Sequence, residues 1–146
     1  MSALRRFGLA ALAACALALP VRADSPPRVL ALVTSADPQV QGMAFVLLGQ
    51  MRQQGMTVEV MLCGEAAHLA RREPPGPAAP ALRPSGATPA QMFANLVRAG
   101  ARAEVCALYL PNAGVGPEAL IEGVRAASPP EMARRMLAEH TRVLPF

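Results

Sequence analysis

Two cysteines and the residues that follow them are the chemistry-bearing positions of this chain. Cys106 closes the apolar run Ala103-Glu104-Val105-Cys106 and leads into Ala107-Leu108-Tyr109-Leu110-Pro111-Asn112-Ala113-Gly114, an apolar stretch that breaks into a Pro/Asn/Gly turn. That pattern puts a thiol at the carboxyl end of a parallel strand. In open α/β sheets this edge collects ligands, because the loops converge there and the next helix presents free N–H groups. A thiolate at such a place can attack a sulfur–sulfur bond and later leave when another thiol attacks, which requires access and no general base. The Asn112 to Gly116 turn and a helix start at Pro117 are expected to offer N–H groups and a favourable dipole to negative sulfur. Tyr109, Asn112 and Gly114 are the candidate pocket residues beside it. A buried cysteine acting as a small hydrophobe fits the same pattern.

Cys63 is the second thiol. It ends the apolar run Thr57 to Leu62 just before Gly64, and so falls on the same sheet edge. A disulfide with Cys106, a pair of attacking and resolving thiols, and an inert core cysteine all fit, because the sequence does not set the order of the strands. His68 and His140 lack ligand spacing to anything and read as surface or capping residues, so no metal site is expected. The methionines at 43, 51, 92, 132 and 136 fall at helical spacing and read as core filler. Asn112 by itself reads as a turn former.

Composition removes other classes of chemistry. All 14 basic residues are Arg, which excludes a Schiff-base lysine and a Walker-type phosphate lysine. Met1 to Ala23 has the three parts of a secretory signal: Arg5 and Arg6, an apolar Phe7 to Leu19 too short to span a bilayer, and the small-residue site Val21-Arg22-Ala23. Export to the periplasm with a mature start at Asp24 follows. Leu12-Ala13-Ala14-Cys15 also looks like a lipobox, and a lipidated Cys15 would tie the protein to a membrane. Cleavage after Ala23 removes Arg5, Arg6 and Arg22, which brings the mature chain close to neutrality. No electrostatic case for nucleic acid is left.

Residues 24–146 are enough for one domain with a real core. Val29 to Thr34 reads as a buried strand. Asp37 then caps a helix with Pro38 at its first position; Val40, Met43, Ala44, Leu47, Leu48 and Met51 follow at helical spacing, and Gly55 closes it. Thr57 to Leu62 is a second strand and Glu65 to Arg72 a short helix. Arg71 to Pro89, rich in Pro, Gly and Ala, reads as a long mobile loop without regular structure. Thr88-Pro89-Ala90-Gln91 is a capping box opening a helix through Ala99, with Met92, Phe93, Leu96 and Val97 inward and Gly100 as its stop. Ala103 to Leu108 is the third strand, Pro117 to Ile121 a short helical turn and Gly123 to Ala127 the fourth strand. Ser128-Pro129-Pro130-Glu131 repeats the capping-box pattern for a helix through His140 with Met132, Met136 and Leu137 inward, and Thr141 to Phe146 is the last strand. Five strands alternating with helices predict a three-layer α/β/α fold on a mainly parallel sheet.

The order of these features, with Gly55 before the second strand, Gly100-Ala101-Arg102 before the third and the pair Val105-Cys106, resembles the DsrE-like family of small sulfur-handling proteins. Val105 to Asn112 and the ending Thr141 to Phe146 resemble an exported branch of it. The resemblance implies the five-stranded DsrEFH-like fold, a homotrimer or homohexamer, and a persulfide on the cysteine that Cys106 matches, with no cofactor. The partners it implies are a sulfur donor or acceptor, protein or small thiol. The signal and the Arg71 to Pro89 insertion depart from the cytoplasmic members and point away from tRNA thiolation, which belongs to the cytoplasm. A non-catalytic oligomeric module binding a small ligand or partner is the alternative. The run Val105 to Leu110 is longer than one strand needs, so part of it is expected at a sheet edge covered by another subunit.

Overall fold

The computed structural model describes residues 26–146; the signal segment, Cys15 and the cleavage site before Asp24 lie outside them. The strands are β1 (Arg28–Val33), β2 (Thr57–Leu62), β3 (Arg102–Val105), β4 (Val124–Ala126) and β5 (Thr141–Pro145). They form one five-stranded sheet in the order β4-β3-β2-β1-β5, and every neighbouring pair is parallel. The helices are α1 (Pro38–Gln53), α2 (Pro89–Arg98), α3 (Tyr109–Ala113) and α4 (Pro129–Met136), with 3-10 turns at Gly64–Ala70 and Pro117–Ala119.

Strand alternation sorts the sheet into two faces. Val29, Ala31, Val33, Val58, Val60, Leu62, Ala103 and Val105 pack with Ala44, Phe45 and Leu48 of α1 and Phe93 and Leu96 of α2 in the main core. On the opposite face Leu30 packs with Ala127 and Met132, and α4 lies there. The capping signals act as expected in α1 and α2. Asp37 Oδ1 accepts from Gln39 N at 2.7 Å and Val40 N at 3.3 Å. Gln91 N donates to Thr88 Oγ1 at 3.2 Å, and Thr88 N donates back to Gln91 Oε1 at 2.9 Å.

Four expectations are corrected. In α1 the inward stripe is Gln41, Ala44, Phe45 and Leu48, while Val40, Met43 and Leu47 face outward. The helix is apolar on nearly every side, so spacing alone cannot orient it; Gln41 turns inward because its Nε2 donates to Ser35 O at 2.7 Å. Met43 is therefore not core filler. Strand β3 stops at Val105 rather than Leu108, and the residues after it fold into α3. Ser128 makes no side-chain capping bond to α4, and the Glu131 carboxylate that would complete the box is held by Arg102 and Arg125. That helix ends at Met136, leaving Leu137 87% exposed.

The segment between the 3-10 turn and α2 has no helix or strand of its own, as expected, yet it is tied down at both ends. Arg71 bridges Leu120, and Arg72 Nε donates to Leu120 O at 2.8 Å. Leu82 bridges Ala87 and packs its Cδ1 where a side chain on Gly42 would collide with it, so glycine at 42 is what lets this loop dock on α1.

The α4 face carries charges the sequence had hidden inside two apolar strands. Glu59 of β2 and Glu104 of β3 are 5% and 1% exposed, and the equally buried Arg135 of α4 reaches both, with Nη1 2.6 Å from Glu59 Oε2 and Nη2 on Glu104 Oε2. Arg28 approaches Glu59 at 3.2 Å, and Arg102 and Arg125 approach Glu104 at 3.1 and 2.9 Å. Each buried carboxylate therefore has at least two guanidinium partners. Removing the shared one takes from both carboxylates their buried partner and leaves them only the more exposed Arg28, Arg102 and Arg125, so Arg135→Ala should destabilise by about 3 kcal/mol. Urea unfolding checks this, and a loss below about 1 kcal/mol, the level of an exposed pair, would show the network to be solvated.

Candidate functional site

The ladder that ends β2 and β3 positions the site. Leu62 pairs with Val105 as the last register partners, Cys106 N donates to Leu62 O at 2.8 Å, and Cys63 N donates to Val33 O at 3.0 Å. Cys63 and Cys106 are thus the next residues along two adjacent parallel strands, on the edge expected from the sequence. Both are free thiols and half-buried. Burial, reinforced by the neighbouring Cys106 side chain, pushes the Cys63 thiol up to about 12. Cys63 therefore keeps its proton near neutrality.

Cys106 opens into a cavity of about 410 Å³ whose walls include Gly64, Glu65, His68, Tyr109 and Asn112. One wall is the 3-10 turn after β2. There Glu65 and His68 stand three residues apart, and His68 Nδ1 lies 3.3 Å from Glu65 Oε2. The other wall is α3. It starts one turn after Cys106, whose carbonyl accepts from Tyr109 N at 2.9 Å, and it is anchored by the buried Leu110 and stopped by Gly114 in the left-handed region at φ 64°. The rings of His68 and Tyr109 face each other across the cavity at 5.8 Å, and the Tyr109 hydroxyl is buried without a hydrogen-bond partner.

The structure places Cys106, Tyr109 and Asn112 at one cavity and sets Cys63, whose partnership the sequence left open, beside Cys106. Gly114 does not line the cavity; its part is to end α3. The anticipated anion cradle is also corrected. Asn112 N donates to Leu108 O, Gly114 N to Pro111 O and Val115 N to Leu110 O, so these groups are used inside the turn. Pro117–Ala119 is a single 3-10 turn, too short to sum peptide dipoles. The run Val105 to Leu110 does not make an apolar edge strand either: Val105 and Leu110 are core, and Leu108 alone is largely exposed. His68 and Glu65 were not anticipated as neighbours of Cys106. Their spacing directly after Cys63-Gly64 was the available signal, since three residues at helical pitch bring two side chains to one face. Among the described residues no group of three His, Cys, Asp or Glu side chains converges as a metal site, and no helix is long and apolar enough to cross a membrane.

No protein-family model matches the chain, and no curated protein matches it. Solved structures do. The ychN protein from E. coli is 19% identical and superposes with a TM-score of 0.60 over 82% of this chain and 99% of that one. The protein of unknown function MTH1491 from Methanobacterium thermoautotrophicum is also 19% identical, with a TM-score of 0.56 over 82% of this chain and 99% of that one. At this identity the likeness concerns the fold. The chain is an α/β protein of DsrE-like fold, with helices on both faces of a five-stranded parallel sheet.

The environments of the two thiols differ enough to separate them chemically. Under limiting iodoacetamide at pH 8, label should accumulate on Cys106, which lines the cavity, and spare Cys63, which stays protonated. Because the folded Cys63 value lies above its unfolded value of 9.0, the unfolded chain loses this proton first as pH rises. Stability from this group is therefore intact below pH 9.0 and falls between there and about 12, and Cys63→Ser should flatten that alkaline limb. Equal labelling of both cysteines would contradict the assignment.

Proposed function

We propose that this protein is a periplasmic sulfur carrier that holds sulfane sulfur as a persulfide on Cys106. The observation that carries the reading is the position of Cys106: half-buried at the carboxyl edge of the sheet, open to a cavity, with a second thiol against it. The DsrE-like fold supports it, as does the resemblance of Val105 to Asn112 to the family's cysteine segment.

Loading follows from the thiol chemistry. The Cys106 thiolate attacks one sulfur of a donor's sulfur–sulfur bond, that bond breaks, the donor remnant leaves as a thiolate, and the transferred sulfur stays on Cys106 as an anion. Unloading reverses the roles: an acceptor thiolate attacks the outer sulfur and Cys106 leaves as a thiolate. Neither step needs a metal or a base. The backbone of Cys106 is held on both sides, by its N–H on Leu62 O and its carbonyl on Tyr109 N, so its Sγ has a set direction into the cavity. His68 and Tyr109 wall the space in which the outer sulfur would lie. The donor and acceptor are each a small thiol or a protein thiol able to reach that opening.

A second reading, a non-catalytic module binding a small ligand in the same cavity, is favoured by the Tyr109 hydroxyl, which is buried and lacks a partner. Assembly as a homotrimer or a dimer of trimers is part of the proposal. The exposed apolar residues Val40, Met43, Val46 and Leu47 on α1 are the surface that a further subunit would cover.

Incubation with inorganic polysulfide followed by intact-mass measurement tests the reading. One added sulfur on Cys106, absent in Cys106→Ser, is expected; wild type and variant alike without added sulfur would leave the binding-module reading standing. Export is tested separately. N-terminal sequencing of periplasmic material should find Asp24, whereas a lipid-modified Cys15 as the first residue would replace the soluble protein with an anchored one.

A further inference from the structure

The structure places two thiols at adjacent positions on one sheet edge, and the carrier reading uses one of them. Cys63 and Cys106 occupy the positions directly after the last register pair of β2 and β3, and each backbone N–H is fixed by the neighbouring strand, Cys63 on Val33 O and Cys106 on Leu62 O. Adjacent strands run about 4.8 Å apart, inside the range of Cα separations of roughly 4.4–6.8 Å that a disulfide accepts. Continuing that register by one residue sets Cys63 opposite Cys106 with both side chains on the same face of the sheet. The two sulfurs are not equivalent towards solvent, since Cys106 lines the cavity and Cys63 is not among its walls.

We propose that Cys63 and Cys106 close into a disulfide, and that hydrosulfide entering the cavity opens it by attacking Cys106 Sγ, which leaves the incoming sulfur on Cys106 as a persulfide. This rests on the reading of Cys106 as the sulfur carrier and adds a substrate, inorganic hydrosulfide, to the sulfane donors considered above.

The steps balance. In closing, the two thiols give two electrons and two protons to a small-molecule or protein disulfide, which is released as two thiols. In opening, a new bond forms between the hydrosulfide sulfur and Cys106 Sγ, the Cys63–Cys106 bond breaks, and Cys63 departs with the electron pair. The proton brought by hydrosulfide passes to Cys63, whose burial favours the neutral thiol, and the outer sulfur on Cys106 is left as the anion. Attack on Cys106 rather than Cys63 follows from the cavity, whose walls include Cys106 and not Cys63. The oxidation state of sulfide is thus raised by the protein's own disulfide, and Cys63 is what a single-cysteine carrier would lack.

The test uses purified protein oxidised with diamide, desalted, exposed to sodium sulfide without air, and read by intact mass and peptide mapping. Oxidised wild type should show a Cys63–Cys106 link, then gain the mass of one hydrogen sulfide per chain, with the outer sulfur mapped to Cys106 and Cys63 free. The fraction of Cys63→Ser free of intermolecular disulfides, treated identically, should take no sulfur from hydrosulfide while still taking one from polysulfide; Cys63→Ala should behave alike, which guards against a folding defect in one variant. The inference is overturned if no Cys63–Cys106 link forms, if hydrosulfide returns wild type to two free thiols with no retained sulfur, or if the Cys63 variants charge from hydrosulfide as fully as wild type. If reduced wild type and the Cys63 variants alike refuse sulfur from polysulfide, the carrier reading itself falls, and this inference falls with it.

Discussion

The pairing of β2 with β3 is the constraint on which both the stability and the chemistry of this protein depend. In the observed register Leu62 lies opposite Val105, which puts Cys63 beside Cys106 at one end of the strands. The same register sets Glu59 opposite Arg102 and Met61 opposite Glu104, so both carboxylates fall on the face that α4 covers. A slip of one residue would turn Glu59 or Glu104 into the apolar core and separate the thiols. Arg135 can reach both carboxylates only in this register. The buried ion network and the thiol pair are thus two readouts of a single alignment, one at mid-strand and one at the carboxyl edge.

This arrangement has a clear division of labour between the sheet faces. The α1 and α2 side is a conventional apolar core, in which Phe45 and Phe93 pack at 5.5 Å and no charge is buried. The α4 side is thin and polar, and α4 is short. Buried ion pairs contribute less to net stability than well-packed apolar groups of equal volume, but they penalise misalignment strongly because each unpaired charge is costly. We infer that Glu59, Glu104 and Arg135 serve register more than stability, holding β2 against β3 so that the cysteines meet.

Much of the architecture was legible in the residues. Asp37 before Pro38, the Thr88–Gln91 capping box, and the short apolar runs separated by glycines gave five parallel strands and the starts of α1 and α2, because these signals are local and chemical. What escaped depended on tertiary partners. The apolar run after Cys106 looked like a continued strand, and only the burial of Leu110 in the main core, from within α3, makes it a helix. The inward face of α1 was undetermined by its own sequence and is set by the Gln41–Ser35 bond and by Leu82 docking over Gly42. Glu131 resembled a capping residue until Arg102, distant in sequence, was found to hold it. Of the site, Cys106, Tyr109 and Asn112 were legible from position along the chain. The partnership of Cys63 and the arrival of Glu65 and His68 were not, since they require the strand order.

The central claim is that β2 and β3 deliver two thiols to one another at the mouth of a cavity. A fluorogenic bridging reagent such as dibromobimane, which becomes brightly fluorescent only when both of its ends have reacted with neighbouring thiols, reads this directly in the folded protein. The account predicts fast attachment of one end to Cys106, then slower fluorescence as the tethered second end reaches the protonated Cys63, a bridged pair of peptides containing Cys63 and Cys106, and loss of the signal in either single cysteine variant. Modification of Cys106 by one end of the reagent alone, with Cys63 still free in the mapped peptides when the reaction has run to completion, would contradict it.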